Sequence, residues 1–450
     1  MKPKILLVNP WYEYNPDKPN RYSRAWQPID LAIAGALLEE KGYEIRIMDI
    51  NALKIPIEEA IKQSKGFDKI FIASASLDRW QCPHIDIDSF LLTVVEFRKS
   101  FPKSKIFVFG PHCTMRPKEM LEKTKADALI IGEPELAIVD LCEKNDLSKV
   151  KGIAYKKNSK IIFTERRQLS DLSKFPVPAF HLLPMEKYSY EIMSDHFSIV
   201  ETARGCPFQC IFCAKEVMYG NKYRIKPIEL VEKELDTLIN DFHVKNIYFM
   251  DLEFTVNKKH AEAICDLIIR KNYKTNWTCQ TRIDTVDESI LKKMKKAECK
   301  SIHFGVESGS DRILELTKKK ITKDRIRKGI ELTRRTGIET VCFMMVGLPE
   351  ETEEEMRQTI EFAKELNPDY VSFNVASPYP GTEFYNMVEG QTEGLFPTSY
   401  EGLPNEKFLK KMAKKGFVEF YLRPNYILSR LFKNPKLLVK QFKLFLRFLK

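Results

Sequence analysis

Short apolar runs alternate with helix-spaced apolar positions along the first 150 residues. Residues 4–8 form one run that stops at Asn9-Pro10, and residues 44–50 form another. Between them Leu31, Ala34, Leu37 and Leu38 recur at helical spacing over 30–41, and Gly42 closes the pattern as a C-terminal cap would. Residues 69–73, 105–108 and 128–131 repeat the strand pattern, with helical stretches at 57–63, 90–99 and 118–123. Strands separated by crossover helices predict a parallel sheet covered on both faces, a Rossmann-like domain over 1–150. Such sheets bind ligands beyond the carboxyl ends of their strands. Those ends carry Asn9, Ser74, Gly110 and Gly132 among turn-forming neighbours.

Residues 152–167 read as a β-hairpin turning at 156–159, and the proline-bearing stretch 175–180 reads as a linker, so 151–190 is a connecting segment. The strand–helix rhythm then restarts. Strands are expected at 199–202, 246–250, 276–281, 301–306, 340–346 and 370–375, with helices such as 227–240 and 259–271 between them. Six units of this kind predict a partial (β/α)6 barrel of TIM type over 191–385, with its chemistry at the C-terminal strand ends. The chain is therefore α/β. From about Phe384 the rhythm is lost, and 386–450 is expected to be a helical, basic extension.

Composition changes this picture little. At 44% hydrophobic and 30% charged residues the chain is ordinary globular protein, which excludes collagen-like, coiled-coil and long disordered classes. No stretch approaches the ~18–20 apolar residues of a membrane-spanning helix, and the N-terminus reads as a first strand and not as a signal peptide. A cytoplasmic location is expected. The net charge of +11 matters mainly at the C-terminus, where eight Lys and Arg residues from Arg423 to Lys450 alternate with Leu and Phe and no acid. An amphipathic helix there suits an anionic membrane surface or a packed barrel face equally well. No nucleic-acid-binding module accompanies it.

Ten cysteines in a cytosolic chain do not suggest disulfides. Seven are scattered and read mostly as small buried hydrophobes. The other three, Cys206, Cys210 and Cys213, form CxxxCxxC directly after a strand and Arg204-Gly205. A closed zinc site wants four ligands, usually two separated pairs. Three thiolates on one loop can instead hold three irons of a cubane cluster and leave the fourth open. A zinc site completed by His196 or His243, and a chance grouping, are the competing readings.

With Phe212 just before the last cysteine, this loop at the end of a first barrel strand resembles the radical SAM superfamily. Four later segments share the resemblance. Residues 249–255 resemble the second-strand segment whose acids meet the amino group of S-adenosylmethionine; Leu252 stands where a second adjacent acid is usual, leaving Asp251 and Glu253. Residues 304–310, with Glu307 and Ser308, resemble the fourth-strand contact to the cosubstrate's ribose or carboxylate region. Residues 345–352, with Gly347, resemble the fifth-strand turn near the adenine, and 379–382 the sixth-strand exit. Singly, the glycines could be turn formers and Glu307 a carboxylate paired with Arg282. The ordered set carries the resemblance.

The resemblance implies a 4Fe–4S cluster on the three cysteines that cleaves S-adenosylmethionine to a 5′-deoxyadenosyl radical. It also implies a reductant such as flavodoxin or ferredoxin, and a small-molecule or lipid-like substrate. Residues 8–10, 30–38, 110–114 and 131–135 resemble the cobalamin-binding domain found before such barrels. Asn9, Ser74, Gly110 and Gly132 would build the corrin-facing edge. The DxHxxG motif with its cobalt-ligating histidine is absent, and a lone histidine such as His112 more often bonds its own loop. The expected activity is methylation or ring formation on a biosynthetic substrate. A radical SAM enzyme with a vestigial first domain and a non-catalytic metal-stabilised protein are the alternatives.

Overall fold

The computed structural model describes residues 2–11, 25–401 and 405–433. The first sheet contains β1 (Ile5–Asn9), β2 (Ile45–Asp49), β3 (Lys69–Ala73), β4 (Lys105–Phe109), β5 (Ala128–Ile130), β6 (Ile153–Lys157) and β7 (Lys160–Phe163). Its order is β2-β1-β3-β4-β5-β6-β7. The first five strands pair in parallel, and the β6–β7 hairpin continues the sheet antiparallel from β5. Helices cover both faces, so β1 is buried at every residue and shows no period-two alternation. Helix Ile29–Glu40 is apolar almost all round because the helix Glu135–Glu143 covers the side that the sheet does not.

The second sheet begins with β8 (Phe197–Val200), after which β9 (Ala203–Arg204) pairs antiparallel with β10 (Arg224–Ile225). It continues with β11 (Asn246–Phe249), β12 (Asn276–Thr281), β13 (Cys299–Glu307), β14 (Glu339–Val346) and β15 (Tyr370–Val375). Six parallel strands run β15-β14-β13-β12-β11-β8, a partial barrel left open between β8 and β15. The first barrel strand sits two residues earlier than the sequence pattern places it, because Thr202 and Ala203 turn out to bond Asp251. One continuous hydrophobic core runs from the first sheet into the barrel.

Beyond the barrel, helix Glu406–Tyr421 packs along β15, and helix Pro424–Lys433 follows. Arg423 donates to Lys364 O at 2.8 Å, and Arg430, 4% exposed, pairs with Asp369. The described beginning of the basic extension therefore packs on the barrel. Residues 434–450, which hold five of the eight Lys and Arg from Arg423 onward, lie outside the described residues. No helix among the described residues is long and apolar enough to cross a membrane.

Candidate active site

The cysteine loop starts where β9 ends. Gly205, at φ +90°, is required there because a Cβ would lie 2.0 Å from the Lys222 carbonyl oxygen. The loop then doubles back, with Cys213 N donating to Cys210 O at 3.2 Å. Lys215, 2% exposed, anchors it by donating to Cys206 O (3.1 Å), Gly220 O (3.2 Å) and Asn221 Oδ1. All three cysteines face one cavity of about 890 Å³. Burial pushes the Cys206 thiol up to about 12 and raises Cys210 and Cys213, so as bare groups they are neutral. Three thiols facing one cavity need positive charge to ionise, which iron supplies, and the chain adds Lys215, Arg282 and Lys319 around them. A cubane cluster fits this donor set. A mononuclear zinc site does not: His196 precedes β8 and His243 precedes β11, at the opposite strand ends from the cysteines. Among the described residues no three His, Cys, Asp or Glu side chains converge on a point where one ion could sit.

Of the other residues expected at the site, Phe212, Glu253 and Glu307 line the cavity. Glu253 accepts from Arg282 N at 2.6 Å. Burial pushes its carboxyl up to about 7 against the pull of Lys319. Glu307 pairs with Lys319 at 2.9 Å. Its backbone is left-handed, φ +69°, at a register irregularity between β13 and β14. A non-glycine residue rarely adopts that conformation, and strain of this kind gathers where a side chain must be aimed. Gly305 stands beside the pair, and a Cβ there would meet Glu307 Oε1 at 2.4 Å and Lys319 Nζ at 2.8 Å.

Asp251, Ser308 and Gly347 lie behind the wall. Asp251 is fully buried and bonds the end of the first barrel strand. Ser308 shares a hydrogen bond with Thr359 at 3.2 Å. Gly347, at φ +84°, donates its N–H to Glu351 and packs against Leu409.

On the first sheet, Asn9, Ser74, Gly110 and Gly132 do stand at the C-terminal ends of β1, β3, β4 and β5, but none of them lines the cavity. Asn9 donates to Asp49 at 2.9 Å. Gly110, at φ +108°, would put a Cβ 2.6 Å from Ser74 Oγ, and Gly132 N donates to Thr114 Oγ1 at 3.0 Å. His112 is buried with Nδ1 on Ser74 Oγ (3.1 Å) and Nε2 on His84 O (2.6 Å). Burial pushes its imidazole down to about 4, so it is neutral. The domain's contribution to the cavity comes instead from Trp26 and from the loop after β3, through Arg79, Gln81, Cys82 and His84. Cys82 is exposed there, unlike the buried scattered cysteines.

A buried charge cluster fixes the two sheets together at this edge. Arg204, two residues before Cys206, donates two hydrogen bonds to Glu201 (2.9 and 2.8 Å) and forms an ion pair with Glu135 (2.8 Å), between the rings of Trp80 and Phe175. Glu133, from the same turn as Gly132, is held by Arg224 at 3.1 Å.

Lys319, Phe208 and the lower wall were not legible as site residues. Tyr248, His303 and Phe343 form that wall with Trp26 and Tyr190 from outside the barrel, their rings 5.0–6.2 Å apart.

A sequence profile described as the radical SAM superfamily matches residues 200–363. An uncharacterized methyltransferase of Pyrococcus horikoshii is 31% identical over 436 residues, covering 92% of each chain. The radical S-adenosylmethionine methyltransferase TsrM of Kitasatospora setae, solved with cobalamin and a [4Fe-4S] cluster, superposes with a TM-score of 0.71 at 17% identity. That match covers 87% of this chain and 78% of the other. The cobalamin-dependent S-adenosylmethionine radical enzyme OxsB, solved with aqua-cobalamin and S-adenosylmethionine, gives 0.75 at 16% identity over 98% of this chain and 70% of the other. Both likenesses extend through the two sheets and concern the fold. With the cysteine loop at the head of a six-stranded partial barrel and a relative matching nearly end to end, the chain belongs to the radical SAM superfamily.

Proposed function

We propose that this chain is a cobalamin-dependent radical SAM methyltransferase acting on a small molecule. The observation that carries the reading is that one cavity is walled both by the three cysteines and by the loop after β3 of the Rossmann-like domain. Cluster, cosubstrate and corrin would then meet in one space. The near-full-length methyltransferase relative and the cobalamin-bearing structures of the same fold support it. When bound, the cluster supplies one electron to S-adenosylmethionine and the corrin supplies a methyl carrier.

The chain's own residues bind and orient. Cys206, Cys210 and Cys213 would hold three irons. Glu253 offers a carboxylate to a cosubstrate ammonium, and Lys319, already paired with Glu307, offers a cation to its carboxylate. Phe212 gives an apolar face beside the cysteines. Asn9, Ser74, Gly110 and Gly132 shape the sheet edge from which the 78–86 loop extends, and that loop would face the corrin. Below, Trp26, Tyr190, Tyr248, His303 and Phe343 offer an aromatic face, which suits an uncharged, apolar part of the substrate. An external one-electron donor of the flavodoxin or ferredoxin class is required.

The test is anaerobic purification with iron, sulfide and hydroxocobalamin. About four irons and about one corrin per chain are expected, and reduction with dithionite should then consume S-adenosylmethionine. Cys→Ala at positions 206, 210 or 213 should remove the cluster. A full iron complement in the triple variant overturns the cluster assignment. A chain that holds iron but no corrin returns the first domain to a vestigial role.

A further inference from the structure

The end of β12 aims an arginine at one cluster cysteine. Arg282 Nη1 lies 4.0 Å from Cys210 Sγ, within reach of an N–H···S hydrogen bond. The rest of its guanidinium is fully engaged. Nε and Nη2 hold the two oxygens of Asp284 at 2.9 Å each, and Nη2 also donates to Lys319 O at 2.7 Å. The plane lies over Phe208, 4.0 Å from the ring centroid, and Phe208 belongs to the cysteine loop itself. The backbone nitrogen bonds Glu253. Arg282 is 2% exposed, so its charge sits in a poorly screened site.

We propose that Arg282 sets the reduction potential of a cluster held on Cys206, Cys210 and Cys213, with Asp284 as the counter-charge that moderates it. The inference rests on the cluster assignment above and adds to it a tuning residue. Reduction moves one electron from an external flavodoxin or ferredoxin onto the cluster, with no bond made or broken, and leaves the cluster one unit more negative. A fixed cation and an N–H donor at a ligating sulfur stabilise the more negative state and so raise the potential. Arginine suits the task because its guanidinium stays charged and its planar fork can be locked by Asp284 while one nitrogen still points elsewhere. Asp284 is more exposed than Arg282 and better screened by solvent, so it orients the fork and offsets only part of its charge at the sulfur.

The experiment is a potentiometric titration of the reconstituted full-length protein, following the paramagnetic signal of the reduced cluster, with iron content measured on the same samples. Arg282→Gln should lower the midpoint and Arg282→Lys should restore part of it. Asp284→Asn, which keeps the shape and removes the counter-charge, should raise it. An Arg282→Gln variant with about four irons and an unmoved midpoint overturns the inference. If that variant loses its iron, Asp284→Asn decides, and a lowered or unmoved midpoint there overturns it. A wild-type chain that assembles no cluster overturns the cluster assignment and this inference together, whereas a full cluster with indifferent variants overturns this inference alone.

Discussion

Asp251 clamps Thr202: its carboxylate accepts the Thr202 backbone N–H at 2.6 Å and the Thr202 hydroxyl, and it takes the Ala203 N–H at 2.9 Å as well. The acid at the end of the second barrel strand thus satisfies the donors that the first strand leaves unpaired as it bends toward the cysteine loop. Two residues on, Glu253 points into the cavity.

The two acids should therefore fail differently. Asp251→Ala leaves two buried N–H donors unsatisfied, at about 1–3 kcal/mol each, and should lower the thermal midpoint clearly. Glu253→Gln should leave the midpoint near wild type and weaken S-adenosylmethionine by roughly tenfold, the scale of one charge-assisted hydrogen bond. Thermal unfolding and equilibrium dialysis of both variants settle it. An Asp251→Ala chain as stable as wild type would remove the clamp from the account.

Gly305 and Gly309 make a second contrast within one strand end. A methyl group on Gly305 would press on the tips of Glu307 and Lys319, which can swing away. A methyl on Gly309 would meet the Gln358 backbone at 2.4 Å, which cannot. Gly305→Ala is expected to fold normally while losing cosubstrate binding through the disturbed pair. Gly309→Ala is expected to be poorly soluble or to melt early. Equal melting temperatures for the two would refute the distinction.

The parts legible in the sequence were those fixed by local pattern. Apolar runs such as 69–73, with Ile70, Phe71 and Ile72, marked strands buried on both faces, and the CxxxCxxC spacing marked the loop because three thiols so close have few other uses. What escaped depends on tertiary direction. Lys319 lies in the run 318–320, which reads as a solvated face, yet it is buried against Glu307. Asp251 and Glu253 were indistinguishable because side-chain alternation lapses where a strand ends. Trp26 and Tyr190 reach the barrel floor from connecting segments without periodicity. The same lack of pattern hid the 78–86 loop, so the sheet-edge turns drew attention while the loop beyond them reaches the cavity.

Asp30 gives the chain a pH dependence of definite sign. It is fully buried near Glu135, and burial first, then the Glu135 charge, push its carboxyl up to about 8 although Arg204 pulls the other way. Glu133 and Glu201 add further negative charge around Arg204, while Arg224 offsets Glu133. The unfolded chain releases this proton near pH 4 and the folded chain holds it to about 8. Stability therefore falls as pH rises through that window, by up to about 1.4 kcal/mol per unit, and levels off above it. Asp30→Asn should make the fall shallower and be the more stable form at pH 7. Urea unfolding at pH 5, 6, 7 and 8 reads the slope, and parallel slopes in both proteins would contradict the assignment.

His112 bears on how a corrin could be held. Both ring nitrogens are engaged, one by Ser74 and one by the His84 carbonyl, and the ring packs edge-on against Phe396 with centroids 4.8 Å apart. To reach a cobalt ion the side chain would have to abandon two buried hydrogen bonds, each worth about 1 kcal/mol net and more if its partner stays dry. Protonation offers no route out either, since the imidazole is neutral down to about pH 4. Its position instead ties the C-terminal end of β3 to the 78–86 loop through Ser74 and His84. Protein loaded with hydroxocobalamin and reduced to the cobalt(II) state should accordingly show no nitrogen splitting that depends on His112. His112→Phe should leave that spectrum unchanged while lowering the melting temperature and loosening the loop, seen as faster amide exchange at residues 78–86. Nitrogen splitting that disappears in His112→Phe would make this histidine a cobalt ligand and require the loop to reorganise when the corrin binds.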